Sequence, residues 1–221
     1  MKFSIFLILL ISLLLLAGCK TDSTASNKTA SPEVKKGVAP IADDEIAVIE
    51  MENSAAYGSF KIELYSNIAP KMVARFKQLA SEGFYDGTEF HRINLSVVQG
   101  GDPLSKPTAV SDEKVDTAEK GGVGTGGSDK PDVEAEFSDI EYDSGIVGAA
   151  RAPDFNSANS QFFITLKREP AFDNKYTIFG KVFEGMNNVR TISGVQPKDG
   201  ERPIEPVRIK RISIVPRAEA K

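Results

Sequence analysis

The sequence contains no tryptophan, a single histidine and a single cysteine among its 221 residues. With His91 as the only imidazole, a histidine-rich metal site is excluded, and a serine or cysteine triad has only one possible base. We therefore expect His91 to pack structurally rather than to act in catalysis. We also expect neither a metal ion nor a cofactor.

The chain also has no excess of positive charge. The chain carries 27 lysine and arginine residues against 31 aspartate and glutamate residues, for a net charge of −4. Binding of nucleic acid needs a basic stripe that neutralises phosphates, and attraction to anionic lipid needs a basic cluster. The composition favours neither surface, and we expect no nucleic-acid partner.

The longest apolar run of the chain lies at its N-terminus. Lys2 precedes apolar residues up to Leu16, a run that is too short to span a bilayer as a stable helix and is typical of an export signal. It ends in Leu16-Ala17-Gly18-Cys19, which resembles the lipobox of bacterial lipoproteins. We predict a signal peptide over residues 1–18 and lipid attachment at Cys19. The alternative is an ordinary signal peptide with an incidental thiol.

The segment that follows the cysteine has the composition of a linker. Residues 19–45 are rich in serine, threonine, alanine, lysine and proline and show no apolar periodicity, which predicts a flexible, lipid-anchored tether. Acyl chains on Cys19 would attach the protein to a bacterial membrane without spanning it. The expected location is therefore extracytoplasmic, at the outer membrane facing the periplasm in a Gram-negative cell or at the surface of a Gram-positive cell.

Short apolar segments separated by turn residues dominate residues 46–216. Pro70 suits a first helical turn, apolar residues recur at helical spacing after it, and Gly83 ends the run, so we predict a helix over residues 69–82. A second helix is predicted over 185–192. Predicted strands cover 46–51, 60–65, 90–92, 97–99, 146–149, 162–166, 177–182 and 207–215. Many short strands with little helix favour a barrel or a sandwich.

Two further segments complete the predicted organisation. Residues 102–133 are rich in charge, glycine and proline, which predicts an extended, irregular and exposed loop. Its excess, about residues 105–120, is either a tolerated surface loop or an element that selects or gates clients. The spaced glycines of 122–127 formally match a dinucleotide pattern, but they follow no predicted strand and precede no predicted helix, so we assign them no nucleotide. Residues 217–221 form a C-terminal tail.

Three segments together carry the polar and aromatic groups of a groove for a peptide. They are Phe90-His91-Arg92-Ile93, the run Val97-Val98-Gln99-Gly100-Gly101-Asp102, and residues 148–165 with the core Asn159-Ser160-Gln161-Phe162-Phe163. They offer one guanidinium, two carboxamides and an apolar floor. These segments resemble the cyclophilin family of peptidyl-prolyl cis/trans isomerases, and the likeness extends in family order over roughly residues 46 to 216.

The resemblance implies a fold and an activity. It implies a closed antiparallel barrel of eight strands, capped by two helices, with the active groove on the outside of one wall. It also implies a cofactor-free isomerase, monomeric by default, whose partners are proline-containing unfolded or exported polypeptides. Rotation about the X-Pro bond would be accelerated without a covalent intermediate.

The resemblance also implies roles for individual residues. Arg92 would donate a hydrogen bond to the prolyl nitrogen in the twisted state, an interaction that exists only at the top of the barrier, and Gln99 would orient Arg92. Phe162 and Phe163 adjoin in a strand, so one faces the core and the other the groove. The substrate-binding set would comprise Phe163, Val97, Phe172 and Tyr176 around the proline ring, with Gln161 and the backbone of Ala150 and Arg151 along the peptide.

The sequence departs from the family pattern in two places that bear on function. The segment 93–96 is one residue shorter than in relatives and lacks a second phenylalanine, so we expect Leu95 to substitute for it in the slot, with reduced activity. Ala171 occupies the position of the tryptophan that contacts cyclosporin, and we expect weak binding of that drug. The alternative function is a catalytically weak or inactive peptide-binding, chaperone or adhesion module.

Overall fold

The computed structural model describes residues 31–107, 122–197 and 200–219. The predictions of a signal peptide over 1–18 and of lipid at Cys19 lie outside these residues, as does most of the predicted insertion. In the part of the chain that the structure describes, no helix is long and apolar enough to cross a membrane.

Ten strands build the described part of the molecule. They are β1 (Val34–Lys35), β2 (Glu45–Met51), β3 (Ser59–Leu64), β4 (Arg92–Ile93), β5 (Val97–Gly100), β6 (Phe137–Ser138), β7 (Ile146–Ala149), β8 (Phe162–Thr165), β9 (Ile178–Glu184) and β10 (Ile209–Pro216). Eight of them form one antiparallel sheet in the order β10-β2-β3-β9-β7-β8-β5-β4, and β1 pairs with β6 in parallel. All eight predicted strands are present within two residues at each end, whereas β1 and β6 were not predicted.

The large sheet curls into a half-barrel, and the prediction of a closed barrel is wrong. Its two end strands, β10 and β4, share no ladder, and an isolated bridge between Glu89 and Arg208 lies between the segments that precede them. Proline has no N–H to donate to a ladder. Because Pro203 and Pro206 lie in the segment before β10, a continuous ladder with the chain around β4 cannot form there.

Three α-helices accompany the sheet in the described residues: α1 (Ser54–Tyr57), α2 (Pro70–Ser81) and α3 (Met186–Ser193). The two predicted helices are confirmed as α2 and α3. The apolar face of α2 is buried, and Pro70 occupies its first turn, as predicted. The single turn α1 lies in the connection between β2 and β3, where only a hairpin turn was expected; the side chain of Asn53 accepts a hydrogen bond from Ala56 N at its start.

The two faces of the sheet bury different aromatic clusters. On the inner face, Phe162 packs edge-on against Phe76, with ring centroids 5.6 Å apart, within the main core. On the outer face, Phe163 belongs to a second, smaller cluster with Tyr142. The prediction that Phe162 and Phe163 face opposite sides is therefore confirmed. Each such buried ring stabilises the fold by about 1.5–3 kcal/mol through removal of apolar surface from water.

The described part of the predicted tether contacts the rest of the domain, which a flexible tether would not do. Val34 and Lys35 form strand β1, and Lys35 Nζ donates to the carbonyl of Ile68 at 2.6 Å. The Asn67 side chain accepts from Ile41 N and donates to a neighbouring carbonyl. These contacts are polar and link residues distant in sequence, so the lack of apolar periodicity did not reveal them. For the residues before Ser31, which lie outside the described ranges, the tether stays a prediction.

Within the described ranges there are three one-turn 3-10 helices, Pro103–Ser105, Pro170–Phe172 and Arg217–Glu219. The first begins the predicted extended loop, and the last lies in the predicted C-terminal tail. Arg217 Nη2 pairs with Glu63 at 2.9 Å, so the described part of the tail contacts the sheet.

Candidate functional site

A groove of about 670 Å³ lies on the outer face of the sheet, over β4, β5 and β8. The connections that follow β7, β8 and α3 complete its walls. Thirteen of the residues that the structure describes line it, namely His91, Arg92, Val97, Gln99, Val123, Gly124, Ala150, Arg151, Phe163, Phe172, Tyr176, Glu201 and Arg202. Eight of the ten residues predicted for the site are in this set. Gln161 lines an adjoining cavity instead, and Leu95 lines neither.

The floor of the groove is a slot of aromatic rings. Phe163 on β8 meets Phe172 at a centroid distance of 5.4 Å and Tyr176 at 5.5 Å, both in edge-to-face geometry. Tyr142 stacks behind it at 5.7 Å, and burial raises the pKa of the Tyr142 hydroxyl well above its ordinary value. Gly148 is required beside them, because a Cβ atom there would lie 2.5 Å from Phe163 Cζ. The predicted apolar slot is therefore present.

A chain of side-chain hydrogen bonds runs along the other side of the groove. Arg92 and Gln99 face each other across β4 and β5, and Arg92 Nη1 donates to Gln99 Oε1 at 3.3 Å. Gln99 Nε2 donates to Gln161 Oε1 at 2.9 Å, and Gln161 Nε2 donates to the carbonyls of Gly124 and Gly126. Arg92 keeps 45% of its side chain exposed, so its guanidinium is accessible from the groove.

Arg151 stabilises the wall of the groove with its side chain. The guanidinium lies between the rings of Phe155 and Tyr176, at 4.8 and 4.7 Å from their centroids. It donates to the carbonyl of Lys175 at 2.9 Å and to that of Ala152 at 2.9 Å. These contacts link the loop after β7 to the loop after β8. The Arg151 side chain therefore fixes the position of Tyr176 and is not directed at a ligand.

The backbone of Ala150 was predicted to hold a bound peptide, but its N–H is not free to do so. Its N–H already donates to the carbonyl of Gln161 at 3.0 Å, so that donor is used inside the protein. A bound chain would have to use other backbone groups along this edge.

A second cavity of about 540 Å³ adjoins the groove beyond Gln99. The glycine-rich segment after residue 122 forms one wall of this cavity. Asp102 fixes this segment, because its carboxylate accepts hydrogen bonds from Gly124 N and from Gly126 N. On the far side, Asn159 Oδ1 accepts from the backbone and the hydroxyl of Ser128. The described end of the predicted extended loop is therefore bonded to the site, although it contains no regular element.

The shortened segment before β5 forms a tight turn, and the expectation that Leu95 fills the slot is wrong. Asn94 Oδ1 accepts from Ser96 N at 2.8 Å and from Val97 N at 2.9 Å, which closes the connection with one residue fewer. Leu95 therefore lies at the tip of the turn and is 87% exposed. Only Val97 of this region lines the groove.

Five lining residues were not predicted for the site: His91, Val123, Gly124, Glu201 and Arg202. His91 is buried, and this burial lowers the pKa of its imidazole, which favours the neutral ring. Glu201 accepts a hydrogen bond from Arg92 Nε, and this contact lowers the pKa of the Glu201 carboxyl. Glu201 is 109 residues from Arg92 in sequence, and no local pattern indicates this contact.

The geometry defines a class of protein. The groove places an accessible guanidinium beside a slot that suits a small apolar ring, and no serine, threonine or cysteine is among its lining residues. Within the described ranges, no cluster of three or more histidine, cysteine, aspartate or glutamate residues could bind a metal ion. The site suits recognition of a peptide through an apolar ring and a neighbouring polar backbone.

Comparison with known proteins gives the family. The model of the family described as "Cyclophilin type peptidyl-prolyl cis-trans isomerase/CLD" matches residues 48–214. A probable peptidyl-prolyl cis-trans isomerase of Brucella suis is 42% identical over 145 residues, which are 65% of this chain and 71% of that protein. Peptidyl-prolyl cis-trans isomerase ppi1 of Schizosaccharomyces pombe is 39% identical over 171 residues, covering 74% of this chain and 96% of that protein.

A solved structure agrees with the sequence comparisons. The cyclophilin type peptidyl-prolyl cis-trans isomerase of Cryptosporidium parvum, crystallised in the presence of the dipeptide Ala-Pro, superposes with a TM-score of 0.65 at 29% identity. The match covers 77% of this chain and 98% of that one. The chain belongs to the cyclophilin-type peptidyl-prolyl cis-trans isomerase family, a family of enzymes.

Proposed function

We propose that the protein accelerates rotation about X-Pro peptide bonds with Arg92 as the catalytic donor. Amide resonance sets a barrier of about 18–20 kcal/mol to this rotation. The prolyl nitrogen becomes a better acceptor as the peptide twists, so a guanidinium that donates to it stabilises the barrier top and not the ground state. The observation that carries the proposal is the exposed guanidinium of Arg92, bonded to Gln99 beside the Phe163 slot.

The proposed binding mode follows from the shape of the groove. The proline ring enters the slot formed by Phe163, Phe172 and Tyr176, with Val97 at its edge. Arginine suits the catalytic position because its charge is permanent and its planar fork can bond Gln99 and a substrate together. The Ala-Pro dipeptide used with the Cryptosporidium relative supports a proline-containing peptide as the ligand.

We propose further that the clients are exported proteins and that Cys19 anchors the enzyme to a membrane. The support is the sequence of residues 1–19 alone, with its apolar run and lipobox pattern. Mass spectrometry of the mature N-terminus tests this directly: a diacylated or triacylated Cys19 is expected, and an unmodified thiol or an intact residue 1 would contradict it. A monomeric state and weak cyclosporin binding beside Ala171 stay predictions.

A second function is favoured by one observation. The turn at Asn94 brings no aromatic ring to the slot, and Leu95 lies in solvent. A slot with one open edge suits a peptide-binding module that retains its ligand without useful catalysis.

A protease-coupled assay with a proline tetrapeptide separates the two functions. In the enzyme, Arg92→Ala should lower kcat/KM about 100-fold, as expected for loss of one transition-state donor, while peptide affinity changes little. Arg211→Ala is the matched control, because Arg211 on β10 is a similarly exposed arginine that pairs with Glu50 on β2. Wild-type binding without acceleration would favour the binding module, and equal activity in Arg92→Ala would contradict the role of Arg92.

A further inference from the structure

Glu201 contacts the segment that carries Arg92 at three points. Its carboxylate accepts from Arg92 Nε through one oxygen and from Asn94 Nδ2 through the other, the latter at 2.6 Å. Its backbone carbonyl accepts from Ile93 N at 2.7 Å. Three consecutive residues of the β4 region are thus bonded to one glutamate, which is more than a single surface ion pair supplies.

The neighbour of Glu201 explains why this residue is held in place. Arg202 donates from Nε to Glu89 Oε1 at 3.0 Å, and Glu89 is only 1% exposed. This ion pair fixes the chain immediately next to Glu201 and so restricts the position of Glu201 beside Arg92.

The guanidinium of Arg92 has donors that are bonded within the protein and donors that are not. Glu201 occupies Nε, and Gln99 accepts from Nη1 at a distance of 3.3 Å, which is long for a hydrogen bond. Among the described residues, Nη2 of Arg92 has no hydrogen-bond partner. Because the guanidinium is planar, fixing Nε and Nη1 also fixes the direction of the Nη2 donors.

We propose that Glu201 is the positioning residue of the catalytic arginine: it fixes the guanidinium plane of Arg92 so that the remaining donors face the prolyl nitrogen. The inference rests on the proposed role of Arg92. Asn94 also takes part, because its side chain closes the shortened turn and donates a hydrogen bond to Glu201. The turn and the catalytic donor are therefore connected through Glu201. Glu201 does not touch the substrate in this mechanism.

The isolated pair would contribute little by itself. The side chains of Arg92 and Glu201 are 45% and 42% exposed, and ion pairs in such surroundings contribute little to folding stability. The expected effect is on catalysis, because an arginine that is free to rotate loses the geometry that the transition state needs, which can cost up to about 100-fold.

The first experiment compares Glu201→Ala and Glu201→Gln with wild type in the tetrapeptide assay. Glu201→Ala should lower kcat about tenfold with KM nearly unchanged, since ground-state binding in the aromatic slot persists. Glu201→Gln keeps an acceptor oxygen and should lose less. Glu50→Gln, which weakens a comparable arginine pair on β10, is the control and should retain wild-type kcat. An unchanged or increased kcat in Glu201→Ala overturns the proposal.

The second experiment asks whether Glu201 acts through Arg92. In an Arg92→Ala background, Glu201→Ala should have no further effect, because the residue that it positions is gone. A further tenfold loss in that background would show an independent role and overturn the proposal.

The third measurement needs no catalysis, so it separates failure of this inference from failure of the proposed function. The Nε–H resonance of Arg92 in an NMR spectrum, assigned by its loss in Arg92→Ala, should exchange slowly with water in the wild type. In Glu201→Gln, which preserves the side-chain shape if Glu201→Ala does not fold, exchange should accelerate severalfold. Equal exchange in both proteins overturns the positioning role even if the wild type is active.

Discussion

The two sides of the groove are built on different principles. The aromatic wall, formed by Phe163, Phe172 and Tyr176, consists of rings in mutual contact, with Phe163 only 4% exposed. The charged rim, formed by Arg92 and Glu201, consists of half-exposed side chains joined by hydrogen bonds. The wall is part of the hydrophobic core of the outer face, whereas the rim lies in solvent.

This difference separates stability from catalysis. Removing contacts from the wall exposes apolar surface or opens a cavity, so it should affect folding and binding together. Changing the rim removes pairs that water can replace, so it should affect the rate with little change in stability. Variants of the wall and of the rim therefore test whether the two sides act independently.

The largest expected effect on stability comes from Gly148→Ala. The new Cβ would lie 2.5 Å from Phe163 Cζ and 2.6 Å from the Tyr142 hydroxyl, so the wall must move. We expect the free energy of unfolding to fall by about 1–3 kcal/mol, as for other overpacked cores, and affinity for a proline peptide to fall with it. Urea unfolding and peptide titration measure the two effects.

Gly194→Ala is the matched control for this variant. Gly194 follows α3 with a φ of −82°, and the nearest atom to its new Cβ is at 3.4 Å, an ordinary contact distance. The control should change stability by less than about 0.5 kcal/mol. If Gly148→Ala behaved like the control, the wall would be more deformable than its ring contacts indicate.

A smaller effect is expected from Asp173→Asn, which loosens the support of the wall. Asp173 accepts from Tyr142 N and from Arg168 Nη1, both at 2.9 Å, and the Arg168 contact is the main cause that lowers the pKa of this carboxyl. At pH 7 the variant should lose about 1 kcal/mol of unfolding free energy. Thermal unfolding at a series of pH values measures it.

The sign of the pH dependence follows from the lowered pKa. A carboxyl whose folded pKa lies below its unfolded value of about 3.9 stabilises the fold above that pH and loses this contribution as the pH falls through the folded value. The difference between wild type and Asp173→Asn should therefore shrink below about pH 4. Asp129→Asn, at a side chain that is 88% exposed, is the control and should change the free energy of unfolding at pH 7 by less than about 0.5 kcal/mol. A gap that grows in acid contradicts the assignment.

The smallest effect is expected from Leu95→Phe at the turn beside the rim. Leu95 was expected to occupy the slot in place of the missing phenylalanine, but this side chain is 87% exposed and outside the groove. We therefore expect kcat/KM to change less than about twofold, well under the tenfold that 1.4 kcal/mol represents. An increase of tenfold would show that the turn rearranges when the peptide binds.

The wall could be predicted from sequence because its signals are local. Phe162 and Phe163 adjoin in a strand, and strand alternation alone assigns them to opposite faces, as the structure confirms. The helix α2 was equally readable from its proline and its apolar spacing. In each case the residues that form the sequence pattern and the structure that they predict lie within a single strand or helix.

The rim and the sheet edges could not be predicted in the same way. Glu201 meets Arg92 across 109 residues through a carboxylate that resembles any other surface glutamate. Strand β1 pairs with β6 although its surroundings have the composition of a linker. The position of Leu95 was predicted wrongly, because the prediction assumed that an apolar side chain would be buried in the slot. The hydrogen bonds of Asn94 determine the path of the turn instead.

The seam between the two ends of the half-barrel has a consequence for aggregation. Unpaired sheet edges recruit foreign strands by β-augmentation. Here Gly87 N donates to Ile209 O and Phe90 N to Val207 O, at 2.8 and 2.9 Å, so these backbone groups are already satisfied internally. An extended peptide that approaches this seam finds these groups occupied, so strand addition is disfavoured there.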